Sequence, residues 1–228
     1  MMGEMTWLST VEYYRITNEY IMHATEASEG RHTARIILYS VDFHDVEQIH
    51  TDSDWEEWGR TMAGHARTLE GAGADFIVIC TNTMHRLADV VEKAVSIPLL
   101  HIGDATAHAI RKDGLRNVGL LGTEITMSED FLKKRLGKHG IQTVVPSEDS
   151  MKAVDGIIRK ELVYNVIQDA SRQKLIKVID DLAGRGAEGV VLARTELPLL
   201  VSQDDVSVPI FDTTRIHAIA AADLALSQ

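Results

Sequence analysis

The chain has 228 residues, 45% hydrophobic and 25% charged, with a formal net charge of −11. The length allows one large domain or two small ones, at roughly 100–200 residues each, and the acidic excess repels phosphate backbones and argues against a nucleic-acid partner. A single cysteine, Cys80, excludes a disulfide framework and a cysteine-rich zinc site, and no apolar run approaches the ~20 residues that span a bilayer, so a cytoplasmic protein with no membrane partner is expected.

Short β-branched-rich apolar runs alternate with amphipathic stretches. In chain order the pattern predicts a helix over 10–27, a strand over 34–40, a helix over 55–71 and a strand over 75–80. A helix over 85–94, a strand over 97–102, a helix over 104–113 and a strand over 117–122 follow. The remainder reads as helix 128–139, strand 142–146, helices 150–164 and 169–184, strand 189–193, strand 208–211 and helix 213–226. Near-continuous apolar strands separated by helices predict parallel sheets flanked by helices, an α/β fold. The basic run Lys133-Lys134-Arg135 sits in a helical pattern and reads as a solvated face.

An internal repeat runs through this pattern. Gly73-Ala74-Asp75-Phe76-Ile77-Val78-Ile79-Cys80-Thr81-Asn82-Thr83 aligns with Gly186-Ala187-Glu188-Gly189-Val190-Val191-Leu192-Ala193-Arg194-Thr195-Glu196 at a constant spacing of 113. Ser96-Ile97-Pro98-Leu99-Leu100 parallels Ser207-Val208-Pro209-Ile210-Phe211, and each leads to a His-Ala-Ile, at His108 and His217. A fainter match sets Met1-Met2-Gly3-Glu4 against Leu120-Leu121-Gly122-Thr123 and implies a shortened first strand. Two pseudo-symmetric α/β lobes are expected, residues 1–104 with 212–228 and residues 105–211. Ligands of such sheets bind beyond the carboxyl ends of strands, which here carry Thr81 and Arg194, and a cleft between lobes is the expected site. Matched groups on opposite walls suit inversion of a stereocentre, one removing a proton and the other donating one.

Met5-Thr6-Trp7-Leu8-Ser9-Thr10 with Tyr13-Tyr14, Thr81-Asn82-Thr83-Met84-His85, Leu121-Gly122-Thr123, Thr195-Glu196-Leu197-Pro198 and Phe211-Asp212-Thr213 with His217 resemble signatures of the aspartate/glutamate racemase family, in order over the whole chain. The resemblance implies cofactor-independent, PLP-independent proton transfer on an acidic or similar small amino acid, and a homodimer. It implies that Thr81 and Arg194 occupy the positions of two catalytic thiols, where the family usually reads Cys-Asn-Thr and Gly-Cys-Thr-Glu. It also makes Met5, Thr6, Trp7, Asn82, Thr83, His85, Thr123, Thr195 and Glu196 the expected substrate-binding set.

Both thiols are therefore replaced. A Thr hydroxyl needs an activating base, and Arg stays protonated but binds carboxylates bidentately. Cys80, one residue earlier, faces packing on strand alternation or else substitutes as the catalytic thiol. Asn82, Thr83 and Thr195 read equally as helix caps, Asp42 with His44 and Asp212 with His217 as dyads or caps, and no residue set reads as a metal site. Two readings stay open: a racemase, or a diverged family member that binds a small carboxylate or performs lyase- or decarboxylase-like chemistry. A structural or interaction module has little support.

Overall fold

In the computed structural model of the chain, which describes all residues except 4–5, 27–29, 50 and 228, the first strand is only Met2–Gly3 (β1). Helix α1 (Trp7–Thr25) follows, its N-terminus capped by the Thr6 hydroxyl, which accepts from the Ser9 N–H. Then come β2 (Tyr39–Ser40), α2 (Phe43–Glu47), α3 (Asp52–Gly71), β3 (Ile77–Val78), α4 (Ala88–Glu92) and β4 (Leu99–Leu100). Helix α3 starts earlier than the apolar period suggests because Thr51 and Asp54 close a capping box. β1 pairs in parallel with β2, β3 with β4, and a bridge from Met2 to Ile79 joins the two pairs.

The chain continues through α5 (Ile102–Lys112), β5 (Asn117–Gly122), α6 (Glu124–Ser128), α7 (Phe131–Gly137), β6 (Gln142–Val144), α8 (Glu148–Lys160), α9 (Asp169–Gly184), β7 (Gly189–Ala193), β8 (Ile210–Asp212) and α10 (Thr213–Leu226). β6-β5-β7-β8 form one parallel sheet. Its core gathers Leu121, Met127, Val154, Ile158, Leu175, Ile179, Leu182, Val190 and Leu192, all essentially buried. The chain divides into two compact units, Met1–Ile102 with His217–Gln228, and Gly103–Ile216. The fold class is therefore α/β with parallel sheets flanked by helices.

The repeat holds at the level of register. The strand order of the first unit, β2-β1 then β3-β4 through the Met2–Ile79 bridge, matches β6-β5-β7-β8 of the second. Ile77 faces Leu99 and Val78 faces Leu100, while their counterparts Val190 and Val191 face Ile210 and Phe211. Met2 meets Ile79 as Leu121 meets Leu192. The fainter match, over Met1–Gly3 and Leu120–Gly122, thus falls on equivalent strand positions, Glu4 lying outside the described residues. Gly189 sits where a Cβ would lie 2.9 Å from the Phe211 ring and 3.1 Å from the Pro209 carbonyl oxygen. Gly189→Ala is expected to cost about 1–3 kcal/mol of unfolding free energy, measurable by urea denaturation.

Several elements differ from the sequence pattern, each for a local reason. The expected strand 34–40 is reduced to Tyr39–Ser40, with 30–38 running without regular structure. The expected helix 128–139 is two helices, because Thr123 caps α6 early and Glu129 is extended (ψ 164°) before α7. The expected helix 85–94 begins as a 3-10 turn, Thr83–Leu87. There the Thr81 carbonyl, which an α-helix would offer to the His85 N–H, takes the His85 ring instead, and the His85 N–H turns to the Asn82 carbonyl at 3.0 Å.

Candidate functional site

In the first unit, β3 delivers the loop Thr81-Asn82-Thr83 at its carboxyl end, and all three residues are buried. His85 holds this loop. Its Nε2 lies 3.1 Å from the Ile102 N–H and must accept, so the ring proton sits on Nδ1 and is donated to the Thr81 carbonyl at 2.7 Å. His85 therefore acts on the loop through the backbone and spends both nitrogens there. The Thr81 hydroxyl has no hydrogen-bond partner among the described residues. Among the described residues no base is hydrogen-bonded to it to activate it.

Two further imidazoles pack around His85. The His101 and His217 ring centroids lie 4.6 and 5.6 Å away. His217 is fully buried, donates from Nε2 to the Leu100 carbonyl at 2.8 Å, and accepts at Nδ1 from the Tyr13 hydroxyl at 2.7 Å. Burial pushes its pKa down to about 4, against a weaker upward effect of the Leu100 carbonyl. A neutral His217 is thus built into the unit. The Asp212–His217 dyad considered from sequence does not form. Asp212 instead accepts from the Thr214 and Arg215 N–H groups and caps α10, and Asp42 likewise accepts from the His44 N–H at α2. The Tyr13–His217 pair was invisible in the sequence because 204 residues separate its members. The available signal was a tyrosine on the apolar face of α1.

Cys80 is 1% exposed and packs with Tyr13, Ile16, Val78, Ala218 and Ala221. Its carbonyl accepts from the Ser9 hydroxyl, tying the start of α1 to the end of β3. This placement agrees with the packing reading of Cys80 that the sequence offered beside a substitute catalytic thiol. In the folded protein Cys80 is expected to resist alkylation by iodoacetamide, followed by mass spectrometry, and to react fully only in denaturant.

In the second unit, paired residues Gly122 and Ala193 end β5 and β7 side by side, and Thr123, Arg194, Thr195 and Glu196 follow them. A Cβ on Gly122 would lie 3.0 Å from the Ala193 carbonyl, so this close approach requires glycine. Arg194 and Glu196 are 8% and 3% exposed. Arg194 Nη2 donates to Glu196 Oε1 at 3.0 Å, and Nε lies 2.7 Å from Oε2 as an ion-pair contact without hydrogen-bond alignment. The Thr123 hydroxyl lies 2.9 Å from that of Thr126 and caps α6. Thr195 is half-buried and accepts from the Thr214 hydroxyl at 3.4 Å.

Of the remaining expected site residues, Thr6 is buried at the α1 cap and Trp7 is 67% exposed beside it. Met5 lies outside the described residues. No group of His, Cys, Asp or Glu among the described residues is placed to hold a metal, and no described helix is long and apolar enough to cross a membrane.

A family model described as Asp/Glu/hydantoin racemase matches residues 2–221. The fold superimposes on a Yersinia pestis protein described as a candidate Asp/Glu racemase, with TM-score 0.92 and 46% identity over 99% of this chain and 97% of that one. It also superimposes on an aspartate racemase homologue from Pyrococcus horikoshii, with TM-score 0.84 and 34% identity over 99% and 97% of the two chains. The broad-specificity amino-acid racemase RacX of Bacillus subtilis is 28% identical over 165 residues, 72% of this chain and 71% of its own. The chain belongs to the Asp/Glu/hydantoin racemase family.

Proposed function

We propose that this chain binds a small acidic amino acid or a closely related carboxylate through the loops after β5 and β7 of its second unit, and does not invert it by the paired-thiol route. The buried Arg194–Glu196 pair carries this reading. At the position of one family thiol stands a permanent cation already held by a carboxylate. At the position of the other stands a hydroxyl with no base, and the lone thiol of the chain is packed in an apolar cluster. The loops of the second unit suit holding a ligand carboxylate by Arg194, by Thr123 and Thr195, and by neighbouring backbone N–H groups. Recruitment to another reaction of a carboxylate-bearing substrate is compatible with the same groups. No cofactor is required for binding of this kind.

Calorimetric titration with L- and D-aspartate and glutamate tests the reading, with alanine and leucine as neutral controls. Saturable binding of an acidic ligand, lost in Arg194→Met with Glu196→Leu, is the expected result. Equal binding by that double variant would remove Arg194 from the site.

Racemisation is the second reading, favoured by Glu196, a carboxylate buried within the family's second loop. In it Glu196 exchanges the α-proton from one side of the substrate. We further propose, from the family resemblance, that the chain acts as a homodimer in the cytoplasm.

A further inference from the structure

We propose that the second unit carries a separate binding site for a small polyanion of the pyrophosphate class, at the opposite end of its sheet from Arg194. A cavity of about 450 Å³ opens there, lined by Arg111, Arg116, Lys138 and His139 together with the turns at Gly114 and Gly140. No carboxylate and no Phe, Tyr or Trp lines it. The size lies within the range of small-ligand sites. Arg116 precedes β5 and Thr123 follows it, so the strand's six residues place the cavity roughly 20 Å from the Thr123–Arg194 loops.

The sequence concentrates positive charge at this point. Residues 111–116 and 133–138 hold seven of the 23 Lys and Arg residues and one acid, Asp113, in a chain of net charge −11. Lys133 and Lys134 are taken by Asp130, and Arg135 by Asp104. The Arg111 and Lys138 side chains have no ion-pair partner among the described residues. The adjacent acid is Glu188, which accepts from the N–H groups of Arg116 and Asn117.

Charge near helix ends has an ordinary explanation, since cations offset the negative carboxyl ends of α5 and α7. Those ends amount to only about half a charge each. Arg111, Arg116 and Lys138 exceed them even after Glu188 is counted. One wall is also fixed in place. His139 Nε2 lies 2.7 Å from Asp104, which Arg135 grips through both Nε and Nη2. Two guanidinium forks and an ammonium facing one cavity match two linked phosphates. The absence of an aromatic ring removes the stacking surface that a single-stranded nucleic acid would use.

Calorimetry with inorganic pyrophosphate, at low and at physiological ionic strength, tests the proposal. The expected result is saturable binding of one equivalent per chain, weakened by salt and weakened at least tenfold in Arg111→Gln with Lys138→Gln. Both side chains are exposed, so thermal unfolding of this variant should match the parent. Absence of saturable binding overturns the proposal. So does undiminished binding in the variant, which would move the anion to Arg194. Tighter binding of a single-stranded oligonucleotide than of pyrophosphate, abolished by the same substitutions, overturns the small-ligand assignment.

Discussion

Arg194→Ala is expected to lower the unfolding free energy by about 3–5 kcal/mol, as read from urea denaturation. The cost comes from Glu196. Its carboxylate is 3% exposed, with Oε1 accepting from Arg194 Nη2 and Oε2 2.7 Å from Nε. Removing the cation leaves a buried charge without its counterion, and breaking a buried pair by one partner costs that much. Replacing both partners by apolar groups, Arg194→Met with Glu196→Leu, is expected to restore most of the loss, because neither desolvated charge then remains. This asymmetry governs how a thiol should be returned to the loop. Arg194→Cys alone would strand Glu196, whereas Arg194→Cys with Glu196→Gln presents the thiol without the orphaned charge. If Arg194→Ala proves as stable as the parent, the pair is not buried in solution.

The second large effect is a pH dependence centred on His217. An unfolded histidine titrates near 6.5, whereas burial holds the folded group at about 4. Above pH 6.5 both states are neutral and His217 contributes no slope. Between 6.5 and 4 the unfolded chain takes up a proton that the folded chain refuses, so stability falls as pH falls. A shift of this size amounts to roughly 3 kcal/mol over the window. Urea denaturation at pH 7 and pH 4 should therefore show the parent and His217→Gln converging by about that amount. Groups that titrate equally in both proteins cancel in the comparison. A constant difference between the two would mean that folded His217 titrates as it does in the unfolded chain, open to water.

Much of this molecule was legible before its coordinates. Alternating apolar runs and helical periods identified the parallel strands, and the match of residues 73–83 to 186–196 foretold an equivalence that recurs in strand register. What escaped was local chemistry that no period encodes. The 3-10 turn after Thr83 exists because a histidine ring takes a carbonyl from the helical ladder. Helix α2 is five residues started by Asp42, too short to leave a hydrophobic period. Thr81 and Arg194 could be placed at strand ends from sequence. Their condition could not, since it depends on which groups reach them. Arg194 reads as a cation wholly free for a ligand until Glu196, two residues on, is seen to take its Nη2. Tyr13 and His217 form a buried pair that only tertiary structure brings together.

The resulting picture is of a racemase-family chain whose two strand-end loops hold a hydroxyl, Thr81, and a cation paired with a carboxylate, Arg194 with Glu196. One measurement bears on that picture most directly. Single enantiomers of aspartate and glutamate are incubated with the protein in deuterated water, and the α-proton is followed by NMR. Retention of the α-proton in every enantiomer, under conditions where calorimetry detects binding, is the predicted result. Deuterium uptake with inversion, sustained over many turnovers, would contradict it.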